Sequence, residues 1–223
     1  MNFLDVILQE KSRELARAKA VCPEAEMRRR GAARTTPFRG FEAALRAEGV
    51  RVVAEIKRAS PSKGDLAPDL DPSTVAAAYE AGGAAALSVL TEPAFFKGSI
   101  HDLQTARDAV SIPVLRKDFI VDPYQIHESR AIGADAILLI VRILDDAQLR
   151  ALLALTRDNG LDALVEVFDD ADLDRALAAG ATLIGINNRD LGTFATDLSN
   201  ATTLARRIAP PAIAMALSGV ASA

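Results

Sequence analysis

The sequence predicts an α/β fold, a (β/α)8 barrel with an N-terminal helical extension and its eighth βα unit missing, and three observations carry that expectation. From Arg51 onward, apolar runs of strand length alternate with Ala- and Leu-rich helical patterns. The runs are almost continuously apolar, as strands covered by helices on a parallel sheet must be, with right-handed crossovers between them. Their starts, at residues 52, 86, 113, 136, 163, 183 and 213, recur about every 27 residues without a dinucleotide glycine fingerprint after the first, which favours a barrel over a doubly wound sheet.

Taken in order, Phe3, Leu4, Ile7, Leu8 and Leu15 recur at helical spacing between charged residues, so residues 2–20 read as an amphipathic helix. A polar, Arg-rich stretch, Arg28 to Arg39, leads to a short helix near Phe41 to Glu48. Strands are expected at Val52–Lys57, Ala86–Thr91, Pro113–Asp118, Ala136–Val141, Ala163–Val167, Leu183–Asn188 and Ile213–Val220. The helices between them are Pro72–Ala81, Ser99–Ala109, Pro123–Ile132, Ala147–Asn159, Ala171–Ala179 and Asp197–Ile208. Asp71-Pro72 and Asp122-Pro123 read as caps with proline in the first turn, and Gly82, Gly133, Gly160 and Gly180 as helix ends. Eight such units would run to about residue 265. The 223-residue sequence is therefore expected to lack the last unit and most of the helix before it, giving an extension over 1–50 and an incomplete barrel over 51–223, effectively one domain.

Half the residues are hydrophobic and a quarter charged, enough apolar material for a globular core. The 26 Lys and Arg against 30 Asp and Glu leave a net charge of -4, which argues against a nucleic-acid binder. One cysteine, Cys22, excludes an intramolecular disulfide and a multi-cysteine metal site, and two histidines leave little for zinc, so no metal is expected. No apolar run approaches the ~20 residues of a membrane span, and the N-terminus lacks a signal-peptide core. A soluble, cytoplasmic protein is the expectation.

Ionisable groups at the C-terminal ends of buried strands are costly unless they serve the active-site face of a barrel. Glu55 and Lys57, two apart, share a face and can pair. With Lys117, Glu166 and Asn187 at the ends of the third, fifth and sixth strands, five polar groups converge on one cavity. The plainer alternative makes Glu55 and Lys57 a structural rim pair and has Asp118 satisfy Lys117. Asp135 and Asp162, preceding strands, read as solvated loop charges, His127 as a surface residue, and His101 as part of a helix's first turn.

Val53-Ala-Glu-Ile-Lys-Arg-Ala-Ser-Pro-Ser-Lys-Gly64, Leu90-Thr-Glu, Phe95-Phe-Lys-Gly-Ser99, Pro113-Val-Leu-Arg-Lys-Asp-Phe-Ile120, Val165-Glu-Val167 and Ile184-Gly-Ile-Asn-Asn-Arg-Asp-Leu191 resemble the indole-3-glycerol phosphate synthase family in order and spacing. The resemblance extends from the N-terminal helix to about Ile208. It implies a barrel with an extra N-terminal segment and a carboxy-lyase of tryptophan biosynthesis. Such an enzyme converts 1-(2-carboxyphenylamino)-1-deoxyribulose 5-phosphate to indole-3-glycerol phosphate with loss of carbon dioxide and water and without a cofactor. By the same resemblance Lys117 is the general acid of ring closure, with Phe96, Phe119, Leu138 and Leu191 as an apolar wall expected to lower its pKa. Lys57 resembles the acid and Glu166 the base of the dehydration, the division between the two lysines staying open. Glu55 would orient the lysines, and Asn187 would bind the hydroxyl and carboxylate region. Ser60, Ser218 and Gly219 match the phosphate end. Arg189 resembles a basic group near the substrate, the alternative being a surface cation paired with Asp190.

The pattern departs from the family at Ala216-Leu217-Ser218-Gly219, where Leu217 stands in place of a glutamate. A second reading follows from this departure and from the short barrel: a non-catalytic truncated paralogue or fragment that acts through association with another chain. Beyond a phosphorylated small molecule, the partners to consider are other enzymes of tryptophan synthesis and a second copy bound through open sheet edges. Neither nucleic acid nor membrane is expected as a partner.

Overall fold

Alternation of side chains along each strand, acting on the near-apolar runs, builds two separate cores around one curled sheet. The computed structural model describes residues 3–189 and 195–219. Its elements are α1 (Phe3–Val21), α2 (Glu24–Ala32), α3 (Phe41–Leu45), β1 (Val53–Ile56), β2 (Ala59–Ser60), β3 (Gly64–Asp65), α4 (Pro72–Ala81), β4 (Ala86–Leu90), α5 (Pro93–Phe96), α6 (Ile100–Ala109) and β5 (Val114–Lys117). They continue with α7 (Pro123–Ala131), β6 (Ala136–Ile140), a 3-10 turn (Val141–Ile143), α8 (Asp146–Asp158), β7 (Asp162–Val167), α9 (Asp170–Ala178), β8 (Leu183–Asn187), α10 (Ser199–Ala205) and β9 (Ile213–Leu217).

Seven parallel strands form one sheet in the order β1-β4-β5-β6-β7-β8-β9, while β2 and β3 make a small antiparallel pair. Among the described residues β1 and β9 are the two ends of the sheet and do not pair with each other. Outward-facing Leu87, Val89, Val114, Ile137, Leu139, Val165, Ile184 and Ile186 pack under the helices. Inward-facing Ala86, Leu115, Ala136, Leu138, Ile140, Leu164 and Leu183 form the second core, joined by Val53, Ile213, Met215 and Leu217 from the end strands. The seven expected strands are all present, most within a residue or two of the expected bounds; Val220, the end of the last one, lies outside the described residues.

Local chemistry explains the element ends. Asp71 accepts the Thr74 N–H at the start of α4, and Asp122 with Gln125 makes a reciprocal capping box at α7. Helix α4 ends differently from the expectation: Gly82 keeps a helical φ of -75°, and Gly83, at φ 87°, makes the left-handed turn. The last helix is shorter than expected, Ser199–Ala205. The Arg-rich stretch is also corrected, since Glu24–Ala32 is helical, with Glu26 bridging Arg29 and Arg30 along one face. Helix α2 lies so close to α7 that a Cβ on Gly31 would stand 2.8 Å from the His127 carbonyl oxygen.

That packing overturns the surface assignment of His127, which is 6 % exposed with Nδ1 3.3 Å from Asn159 Oδ1. His101 is exposed in the first turn of α6, as expected. Asp135 and Asp162 are corrected as well, because the extension folds back over the N-terminal ends of the strands and uses them as anchors. Asp135 is buried beside Arg34 (3.1 Å) and Arg107 (3.5 Å), and accepts the N–H groups of Val114 and Arg39. Asp162 accepts the Glu42 N–H at 2.8 Å, which places Phe41 in the inner core.

Candidate active site

Every charged or amide group expected at a strand end faces the same space. A cavity of about 900 Å³ is lined by Glu55, Lys57, Lys117, Glu166 and Asn187, with Ser60, Phe96, Phe119, Leu138, Arg189, Leu217, Ser218 and Gly219 around them. Leu4 and Ile7 of α1 reach the same cavity, and so do Val52 and Val53 at one end of the sheet and Ile213 to Leu217 at the other. Leu191, expected in the apolar wall, and Asp190 lie outside the described residues.

The polar groups are organised by strand alternation. Barrel layers take side chains from every second strand, and the first, third, fifth and seventh strands of the sheet order end in Glu55, Lys117, Glu166 and Leu217. Lys57 pairs with Glu55 across one intervening residue. Lys117 Nζ lies 3.3 Å from Glu166 Oε2, while Asn187 Nδ2 donates to Glu166 Oε1 at 3.0 Å. Glu166 is thus the acceptor for two neighbours at once. Burial, the largest single influence, works to lower the Lys117 pKa, but Glu166 and Glu55 outweigh it and hold the ammonium above its ordinary value. The expectation of a lowered Lys117 pKa is therefore reversed. An apolar wall alone would have lowered it, and two carboxylates stand inside that wall.

Asp118 does not satisfy Lys117. Successive strand residues point to opposite faces, so Arg116 and Asp118 share the outer face while Lys117 points inward. Asp118 accepts from Arg116 Nη2 (3.0 Å), Thr91 Oγ1 (2.7 Å) and the Phe119 N–H (2.8 Å), and pairs with Lys11 of α1 (2.8 Å). Although burial opposes its charge, these cations and donors hold the Asp118 carboxyl down at about 2. The network continues through Arg116 to Glu128 at 2.8 Å and Ser129 at 3.1 Å. Sequence reading missed Lys11, Arg116 and Thr91, although the alternation of Arg116, Lys117 and Asp118 was the signal that separates their faces.

The apolar wall is positioned by its own cap. Glu92 accepts the N–H groups of Ala94, Phe95 and Phe96, which fixes the short turn that brings the Phe96 ring to 6.3 Å from that of Phe119. On the opposite wall Gly185 leaves room for Leu217, whose Cδ1 would be 2.7 Å from a Cβ at that position. Leu217 also pairs in register with Asn187, so its side chain stands directly beside the polar cluster.

The outer end of the cavity is lined by Ser60, Ser62, Lys63, Ser218 and Gly219. Ser218 and Gly219 adopt successive left-handed conformations, φ 64° and 76°, at the end of β9, and Asn188 Nδ2 donates to the Ser218 carbonyl at 3.1 Å. Arg189 is half-buried at the rim and donates from Nη1 to Ser62 Oγ at 3.1 Å, joining the loop after β1 to the end of β8. Sequence reading did not single out Ser62 or Lys63 as cavity residues. An ammonium held charged beside a carboxylate base, against aromatic surface and below a hydroxyl-rich rim, can protonate a carbonyl and deprotonate carbon in one site.

A family model described as indole-3-glycerol phosphate synthase matches residues 4–223. A protein named indole-3-glycerol phosphate synthase from Desulfosudis oleivorans is 50% identical over 224 residues, covering 99% of this chain and 85% of that protein. The protein of the same name from Mycolicibacterium gilvum is 51% identical over 219 residues, covering 98% and 80%. That from Chlorobium luteolum is 49% identical over 228 residues, covering 100% and 86%. Among solved structures, the 2-keto-3-deoxy-6-phospho-gluconate aldolase of Zymomonas mobilis is similar with a TM-score of 0.52 at 15% identity, over 81% of this chain and 76% of that one, a likeness of fold alone.

Proposed function

The chain belongs to the indole-3-glycerol phosphate synthase family, and on that premise we propose how its cavity closes an indole ring on a phosphorylated substrate. The observation that carries the reading is the convergence of Lys117, Glu166 and Asn187 on one hydrogen-bonded cluster beside Phe96 and Phe119. The substrate, 1-(2-carboxyphenylamino)-1-deoxyribulose 5-phosphate, lays its aromatic ring against Phe96, Phe119 and Leu138 and its phosphate toward Ser60, Ser218 and Gly219. Arg189 lies near enough to the rim to meet a substrate anion, and Asn187 hydrogen-bonds the hydroxyl and carboxylate region.

In ring closure, the ring carbon bearing the carboxylate attacks the ketone carbon while Lys117 gives its proton to the ketone oxygen. The carboxylate then departs as carbon dioxide, its bonding electron pair restoring the aromatic ring. In dehydration the new hydroxyl leaves as water with a proton from Lys57, and Glu166 removes the proton from the carbon beside the nitrogen. Glu55 pairs with the Lys57 ammonium and orients it. The cycle closes when Glu166 returns its proton to one lysine and a solvent proton restores the other, a net uptake of one proton, and no oxidant or reductant is called for. The reaction places the protein in the carboxy-lyase class.

The test is fluorescence of the indole product when the purified chain is given this substrate. Growth in fluorescence that depends on the substrate's phosphate supports the reading, and its absence in a folded protein overturns it.

Leu217 gives a second prediction. It occupies the fourth seat of a layer whose other three members are Glu55, Lys117 and Glu166, and it adds only apolar contact there. Leu217→Glu is expected to raise kcat severalfold by placing a further carboxylate beside the lysines. Turnover measured before and after the substitution decides it: no gain, with KM unchanged, means that Glu55 and Glu166 suffice.

A further inference from the structure

We propose that Lys11, on the first helix, is a positioning residue for Lys117 and Phe119, acting through the Asp118 carboxylate that lies between them in sequence. The proposal rests on the catalytic reading of Lys117 given above. It starts from a burial that is expensive for this residue type. Lys11 is 1 % exposed, and a lysine so enclosed is tolerated only where its ammonium is paired. Its partners are Asp118 Oδ1 at 2.8 Å and Glu14 Oε2 at 2.6 Å.

Asp118 is held from several directions. Thr91, just past the end of β4, and Arg116, on β5, donate to Oδ2, and the Phe119 N–H donates to Oδ1. The Thr91 N–H in turn holds the Lys117 carbonyl at 3.1 Å. The backbone from the Lys117 carbonyl to the Phe119 N–H is therefore held by hydrogen bonds. Among the described residues, Lys11 is the side chain on Asp118 that comes from the extension, while Thr91 and Arg116 come from the barrel. The same helix supplies Leu4 and Ile7 to the cavity wall. One ion pair thus ties the helix that covers the cavity to the segment carrying both the ammonium and the aromatic wall.

The geometry has a kinetic consequence. Lys117 must meet Glu166 on one side and a substrate oxygen on the other, and a misplacement of about 1 Å can cost as much as 10²-fold in rate. If the Lys11 contact is lost, Asp118 keeps Arg116 and Thr91, so the fold survives while the strand end gains freedom. Lys117 is then less firmly held against Glu166, and burial pulls its pKa downward. The groups that face Lys117 are Glu166 from β7 and Glu55 from β1, the latter shared with Lys57. None of them is altered by the substitution.

The experiment compares Lys11→Met and Lys11→Arg in the full chain, at a temperature well below all three melting transitions. Lys11→Met is expected to lower kcat at least tenfold with KM within threefold, and to move the alkaline limb of kcat to lower pH. Lys11→Arg, which preserves the pair, is expected to return kcat to within threefold of the original. A kcat within twofold in Lys11→Met, an unmoved alkaline limb, or failure of Lys11→Arg to recover activity while melting normally overturns the proposal.

A readout independent of turnover separates this failure from failure of the catalytic reading. The 13Cε resonance of Lys117, assigned by Lys117→Arg, is titrated in protein labelled at lysine. A lower midpoint in Lys11→Met supports positioning even if the chain makes no product, and an unchanged midpoint overturns it whatever the activity.

Discussion

Lys117→Ala is expected to cut formation of the indole product by ~10²- to 10⁴-fold, the range over which a positioned general acid commonly acts. The size of the loss follows from the surroundings of the ammonium. Lys117 is the strand-end cation that contacts Glu166, and its pKa is held above the ordinary lysine value by the carboxylates beside it. It therefore stays protonated through neutral pH and is ready to donate to a developing alkoxide. Lys57 is the nearest stand-in, but its ammonium is paired with Glu55 and its strand sits at one end of the sheet. The fold should tolerate the change, since Glu166 keeps its hydrogen bond from Asn187 Nδ2 and the side chain projects into a cavity of about 900 Å³. The measurement is turnover alongside a thermal melt. An alanine variant that melts normally and keeps more than about a tenth of the original turnover removes Lys117 from the acid role.

The residues that permit such a forecast were unevenly legible in the sequence. Barrel strands announce themselves because both of their faces are buried, so Ala136-Ile-Leu-Leu-Ile140 needs no partner to be read. Glu55, Lys117, Glu166 and Asn187 stand out for the complementary reason that they interrupt such runs at the end where a barrel keeps its chemistry. What fails is the assignment of partners. Asp118 follows Lys117 in the chain, yet strand alternation turns it to the opposite face, toward an arginine two residues away and a lysine from the first helix.

Asp135, Asp162 and His127 fail in the same way. Each is polar and sits outside the strands or at their beginnings, which reads as solvent, but the extension covers all three and nothing local in the sequence says where the extension lies. The loop after β8 shows the limit from the other side. Its Asn188 and Arg189 are tied to Ser218 and Ser62 by hydrogen bonds between segments far apart in the chain, a closure that no periodicity encodes.

Glu166→Gln carries the second large effect, and it distinguishes a base from a structural partner. The carboxylate is 5 % exposed and uses one oxygen for Lys117 and the other for Asn187. Glutamine has nearly the same shape but one acceptor oxygen, so it cannot serve both donors: either the Lys117 ammonium faces an amide NH2 or the Asn187 amide does. The proton on the carbon beside the nitrogen then has no base, and dehydration should slow by ~10²-fold or more. A second effect follows from charge. With Glu166 neutralised, burial acts on Lys117 against Glu55 alone, so its pKa falls and the alkaline limb of kcat moves to lower pH. The sign is fixed, because the acid is the protonated lysine and activity is lost as pH rises through its pKa. Glu166→Asp, which keeps the charge but withdraws it by one methylene, should lower the rate while leaving the limb close to its original position. A glutamine variant that retains more than a third of kcat with the limb unmoved assigns the proton abstraction to another group, with Glu55 the other carboxylate of the cavity that acts on Lys117.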